Sequence, residues 1–111
     1  AEWLFIRRIY MLYHVIMTHT EDNCPGYDRE KMPEVLEAFK NLEARGKELN
    51  VKQHYFVWCP PSHVAFLLLE ADSLNAVSRY IFSIPMRQDT QIVPVEHLQD
   101  TMAMARKLME K

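Results

Sequence analysis

Two stretches of this chain are apolar on both sides of an extended backbone, and this restricts the fold more than any other feature. Side chains alternate across a strand, so a sheet with one wet face should alternate apolar and polar residues. From Val64 to Leu69 the chain does not alternate. Val64, Phe66 and Leu68 fall on one face, and Ala65, Leu67 and Leu69 on the other. The segment from Met11 behaves the same way, with Leu12 and Ile16 on one side and Tyr13, Val15 and Met17 on the other. Both faces of such a sheet must be covered. Helices crossing between its strands cover one, and a further layer has to cover the second.

The rest of the chain supplies those helices. Met11–Thr20 is rich in β-branched and aromatic residues and reads as the first strand. Glu21–Asp28 gathers Asp, Asn, Pro and Gly into a loop. A helix is expected over residues 31–45, with Met32, Val35, Leu36, Phe39 and Leu42 as its apolar stripe, Pro33 in its first turn and Gly46 as a left-handed cap. Val51–Cys59 is the second strand, and Pro60, Pro61 and Ser62 turn the chain. His63–Ala71 is the third strand. Asp72 or Ser73 caps a helix running to about Ser83 that buries Leu74, Val77, Tyr80, Ile81 and Ile84, and Pro85 ends it. Thr90–Val95 is the fourth strand, placed at an edge because Pro94 has no N–H to give a neighbour. Glu96–Lys111 closes the chain as a helix with Leu98, Met102, Ala105, Leu108 and Met109 on one side. The order β-α-β-β-α-β-α is an α+β chain whose first six elements make the split βαβ, ferredoxin-like pattern.

With 111 residues, 49% apolar and 25% charged, the chain has the size and make-up of one folded domain. Its formal charge of −2, with both signs interspersed, excludes the basic stripe that a nucleic-acid surface requires. No run of about 20 apolar residues crosses a bilayer, and no Lys/Arg cluster docks on anionic lipid. Cys24 and Cys59 make no disulfide framework, so two free thiols in a reducing, cytoplasmic setting are expected. Residues 1–10 (AEWLFIRRIY) read as an N-terminal arm ahead of a single domain over residues 11–111. Their charges follow the apolar stretch rather than precede it, unlike a secretory signal.

From Met11 to Lys111 the layout resembles the dimeric α+β-barrel superfamily. The resemblance is one of layout, with no diagnostic motif. It implies that two ferredoxin-like protomers press their sheets together, so the partner expected is a second copy of this chain. The superfamily includes cofactor-independent monooxygenases, haem-degrading enzymes and isomerases, and its ligand pocket usually lies between sheet and helices. No catalytic residue carries over, because no motif here matches one position by position.

The residues themselves give a short list for chemistry. His14 and His19, five apart, point to opposite faces if both lie on one strand, and no His-x-x-x-His pair sits on a helix, so spacing argues against a metal. His19, Asp22 and Cys24 converge only through their loop. With only Gly26 and Gly46 there is no phosphate-cradling loop and no dinucleotide fingerprint, so no cofactor is expected. His14 and His54, mid-strand, are the candidate bases. Phe39, Trp58, Phe66 and Tyr80, with six of the methionines, offer apolar lining, and Arg79 an anchor for a carboxylate. These point to a small acyl-chain-like or aromatic ligand. The alternatives are a cofactor-independent monooxygenase or isomerase acting on such a ligand, and a non-catalytic structural or regulatory module.

Overall fold

The computed structural model describes residues 10–110. The arm expected over residues 1–10 therefore lies outside the described residues, apart from Tyr10. Four strands, β1 (Met11–Thr18), β2 (Lys52–Cys59), β3 (Val64–Ala71) and β4 (Asp89–Val95), form one sheet in the order β2-β3-β1-β4, every neighbouring pair antiparallel. Four helices accompany it: α1 (Met32–Lys40), α2 (Leu42–Leu49), α3 (Leu74–Ile81) and α4 (Leu98–Met109). The architecture is α+β. β4 takes an edge, where Pro94, opposite Tyr13, costs no ladder bond on its outer side.

The two apolar faces separate as the alternation requires. Tyr13, Val15 and Met17 of β1 and Ala65, Leu67, Leu69 and Ala71 of β3 are buried beneath the helices. Val77, Tyr80 and Ile81 of α3 and Leu42 of α2 complete that core. Full burial of each Leu or Val removes its side chain from water and stabilises by roughly 1.5–3 kcal/mol. On the reverse face Leu12 is buried, His14, Ile16, Phe66 and Leu68 are only partly shielded, and Val57 and Val93 are exposed. No described helix lies over this face. α4, which could have folded back across it, has every residue exposed, including Leu98 (73%) and Leu108 (62%).

Several local expectations are corrected. The single helix over 31–45 is two helices, broken at Asn41 (φ −94°, ψ 0°). Gly46 does not cap a helix but sits inside α2, with negative φ, and Asn50 (φ 55°) is the left-handed residue that ends it. The glycine is required for space: a Cβ there would stand 2.8 Å from the Val51 carbonyl oxygen and 3.2 Å from the Tyr80 ring. The first strand stops at Thr18, leaving His19 and Thr20 beyond it. The third begins at Val64, because His63 turns into the left-handed region (φ 54°, ψ 40°). Of the two cap residues proposed for α3, Ser73 holds the position, its Oγ accepting from the Ala76 N–H at 3.2 Å. Leu74, expected in the core, is exposed.

Candidate functional site

A groove of about 1200 Å³ opens between the helix-bearing face of the sheet and the α1–α2 pair. Its floor comes from the sheet (Met17, Ala65 and Phe56) and its far wall from Met32, Val35 and Leu42. Tyr80 closes it from α3. The rim is wet on one side, where Phe39 (38%), Leu36 (59%) and Trp58 (63%) are exposed. Phe39 and Phe56 meet edge to face across it, with centroids 5.7 Å apart. This is the composition of a small-molecule site: apolar walls with few polar groups.

Lys40, Glu43, Lys47 and Gln88 also line the groove, and two further polar clusters mark its ends. At the start of β2 are Lys52 and Gln53, whose Oε1 accepts a 2.8 Å hydrogen bond from the Tyr80 hydroxyl. Burial, with a smaller contribution from Glu43, pushes the Tyr80 phenol up to about 12. The unfolded phenol ionises near 10, so between pH ~10 and ~12 the unfolded chain has lost a proton that the folded chain keeps. Stability therefore falls as pH rises through that window, by roughly 1.4 kcal/mol per pH unit, and Tyr80 has no effect below it. Tyr80→Phe is expected to flatten this part of the curve. Urea midpoints measured from pH 9 to 11.5 check this, and an unchanged slope would assign the effect to other groups.

The opposite end is built by long-range contacts. Thr18 pairs with Val64, which brings the residues just outside both strands together. The His19 N–H donates to the His63 carbonyl at 3.2 Å, and His63 Nδ1 stands 3.3 Å from His19 Nε2. Cys24, between two short 3₁₀ turns, brings its thiol to the same place, so that single donor atoms of His19, Cys24 and His63 lie within 4.8 Å of one another. All three residues line the groove, and the Tyr27 ring lies beside His63, 6.4 Å between centroids. Burial, and then the neighbouring His63, hold His19 below the ordinary imidazole pKa, so its neutral form is favoured. Both cysteines are free thiols.

The residues singled out from the sequence divide between the two faces. Phe39, Trp58 and Tyr80 line the groove. Phe66 faces the other way: it pairs with Ile16 and Val57 on the reverse face. Arg79 is exposed on α3 and is not among the groove's lining residues. His14 stacks on Phe66 (6.2 Å, 21°) and meets Tyr55 edge-on, also on the reverse face. His54 sits at a bulge between Gln53 and Tyr55, its Nε2 3.0 Å from Glu70 Oε1. Neither histidine lines the groove, so neither is placed to act as a base on a molecule held there. The His19–His63 pair is, and spacing along the chain could not reveal it because 44 residues separate the two.

A family model described as a domain of unknown function, DUF3303, matches residues 11–109. The chain belongs to the DUF3303 family. The match takes in all four strands and all four helices of this DUF3303 domain, and with them both ends of the groove. No curated protein matches the chain. Among the described residues of the DUF3303 chain, no helix is long and apolar enough to cross a membrane.

Proposed function

We propose that this protein binds a small, mostly apolar molecule with one oxygenated end in the groove between sheet and helices, and that it does so as a homodimer paired through the reverse face of its sheet. The observation that carries the binding reading is the groove itself, with its wall of Met17, Met32, Phe39, Phe56 and Trp58 and a minority of polar groups. Methionine and aromatic walls adapt to acyl chains and flat rings alike.

The dimer reading rests on the bare face. Four strands of seven or eight residues present roughly 25 × 19 Å, or about 500 Å² per copy, from strand rise and spacing. Two copies then bury about 1,000 Å² before any contribution from α4, which is the lower bound for a specific interface. A two-fold interface brings the same patch of both copies together, and the layout of the chain resembles the ferredoxin-like protomers of the dimeric α+β-barrel superfamily.

Native mass spectrometry and tryptophan fluorescence with a series of fatty acids and aryl carboxylic acids test the binding reading. Saturable binding is expected, with quenching or enhancement from Trp58 on the rim. Phe56→Ala, which shortens the groove floor, should weaken it about tenfold, the loss of part of one aromatic contact. Absence of binding across both series at millimolar ligand would overturn the reading. The enzymatic alternative has less support, because its two proposed bases, His14 and His54, stand on the reverse face.

A further inference from the structure

We propose that His19, Cys24 and His63 form a binding site for a borderline divalent transition-metal ion, Zn²⁺ in the first place, at the polar end of the groove. Three observations converge on it. First, the donor set of two imidazoles and one thiolate is one that zinc and its neighbours favour over calcium or magnesium. Second, the spacing fits: two nitrogens each about 2.0–2.1 Å from a tetrahedral zinc stand about 3.3 Å apart. His63 Nδ1 and His19 Nε2 stand 3.3 Å apart. That separation is already at the long limit for a direct N–H···N hydrogen bond. The Cys24 sulfur, within 4.8 Å of a ring nitrogen of each histidine, needs to close by up to about an ångström, since a tetrahedral N···S edge is about 3.6 Å. It is carried between two 3₁₀ turns that bury no residue, so the shift disturbs no core packing.

Third, the backbone holds the two histidines in place independently of their rings. His63 adopts a left-handed conformation uncommon for a residue with a Cβ, and its carbonyl accepts from the His19 N–H. A residue kept in a sparsely populated conformation by its surroundings is a recurrent mark of a functional position. A hairpin turn needing only φ > 0 would be served better by glycine. Three protein donors are also the number found at zinc centres that keep a fourth position for water or substrate. Because all three residues line the groove, that position belongs to the groove.

Cobalt(II) is the probe. The full chain, stripped with chelator and kept reduced, is titrated with CoCl₂ and then with ZnCl₂. One Co²⁺ per chain is expected, with tetrahedral visible bands and a near-ultraviolet sulfur-to-cobalt charge-transfer band, both removed by one equivalent of Zn²⁺. Cys24→Ala should abolish the charge-transfer band. His19→Ala and His63→Gly should each weaken binding by more than the 10- to 100-fold lost when a mere supporting partner of a ligand is removed. Glycine at 63 keeps the left-handed turn, so that variant reports on the imidazole and not on folding. Cys59→Ser and His54→Ala should bind like the parent chain. No charge-transfer band in the parent, or a band that persists in Cys24→Ala, would overturn the site. Fatty-acid binding is a separate measurement, so its failure leaves this result standing.

Discussion

Gly46→Ala is expected to destabilise the protein by about 2 kcal/mol, even though alanine is the better helix former by roughly 1 kcal/mol. The sign turns on what the new methyl meets. Gly46 lies within α2, and the space its Cβ would take is 2.8 Å from the Val51 carbonyl oxygen. That oxygen belongs to backbone and cannot swing away. The Val51 N–H also donates to the Gly46 carbonyl at 2.8 Å, so moving the two segments apart breaks the bond that leads the chain into β2. The next obstacle is the fully buried Tyr80 ring at 3.2 Å. Overpacking of this kind costs about 1–3 kcal/mol or more and exceeds the propensity gain. For a domain of this size the melting temperature should drop by roughly 10 °C. Gly26→Ala is the control: its methyl meets only the Cys24 sulfur, at 3.4 Å, and the change should lie within about 0.5 kcal/mol of zero. Equal melting temperatures for the two variants would show that α2 and β2 separate freely.

The second large effect concerns assembly. Phe66→Lys is expected to convert the proposed dimer to a monomer without unfolding it. Phe66 lies at the middle of the reverse face, flanked by Ile16 and Val57 on the adjacent strands, and is only partly buried within its own chain. A lysine there can lay its stem along the sheet and keep its ammonium in water. Under a second sheet that escape is closed, and each copy would bury an unpaired charge at about 3 kcal/mol or more. That is over 100-fold in the dissociation constant. Sedimentation should give twice the 13.2 kDa chain mass for the parent and the single mass for the variant, with matching circular dichroism. Phe82→Lys, at an 85% exposed position beyond α3, should stay dimeric. A parent chain that sediments as a monomer at 10 μM would sink the dimer.

How much of this was legible in the sequence depends on the range of the interaction. Strand parity is a local property, and it sorted Leu12 and Ile16 from Tyr13, Val15 and Met17 as the sheet does. Pro94 located an edge strand because its missing N–H acts on its own residue. The role of Gly46 was not legible, since it arises from Val51 and from Tyr80, which the fold brings against α2, and the helix break at Asn41 leaves no mark in the apolar spacing. The bulge beside His54 changes a parity that counting assumes constant. The groove's apolar lining was foreseeable from residue types, and Phe39, Trp58 and Tyr80 do line it, but Phe66 of the same type does not. The His19–His63 meeting lay beyond spacing arguments altogether. It needs the β1–β3 register and a left-handed turn at a residue that reads as the start of a strand.

The final helix gives the molecule two tiers of order. α4 has twelve residues, all exposed, and a helix of that length standing alone in water is marginal. The sheet and its three packed helices unfold together, because their buried side chains are shared. α4 shares none, so its amides are expected to exchange with solvent on the timescale of a fraying peptide, and those of Leu67 and Val15 only on global opening. Covering Leu98, Met102 and Leu108 would therefore require ordering the helix as well, a cost that weakens any such contact and makes it easier to reverse.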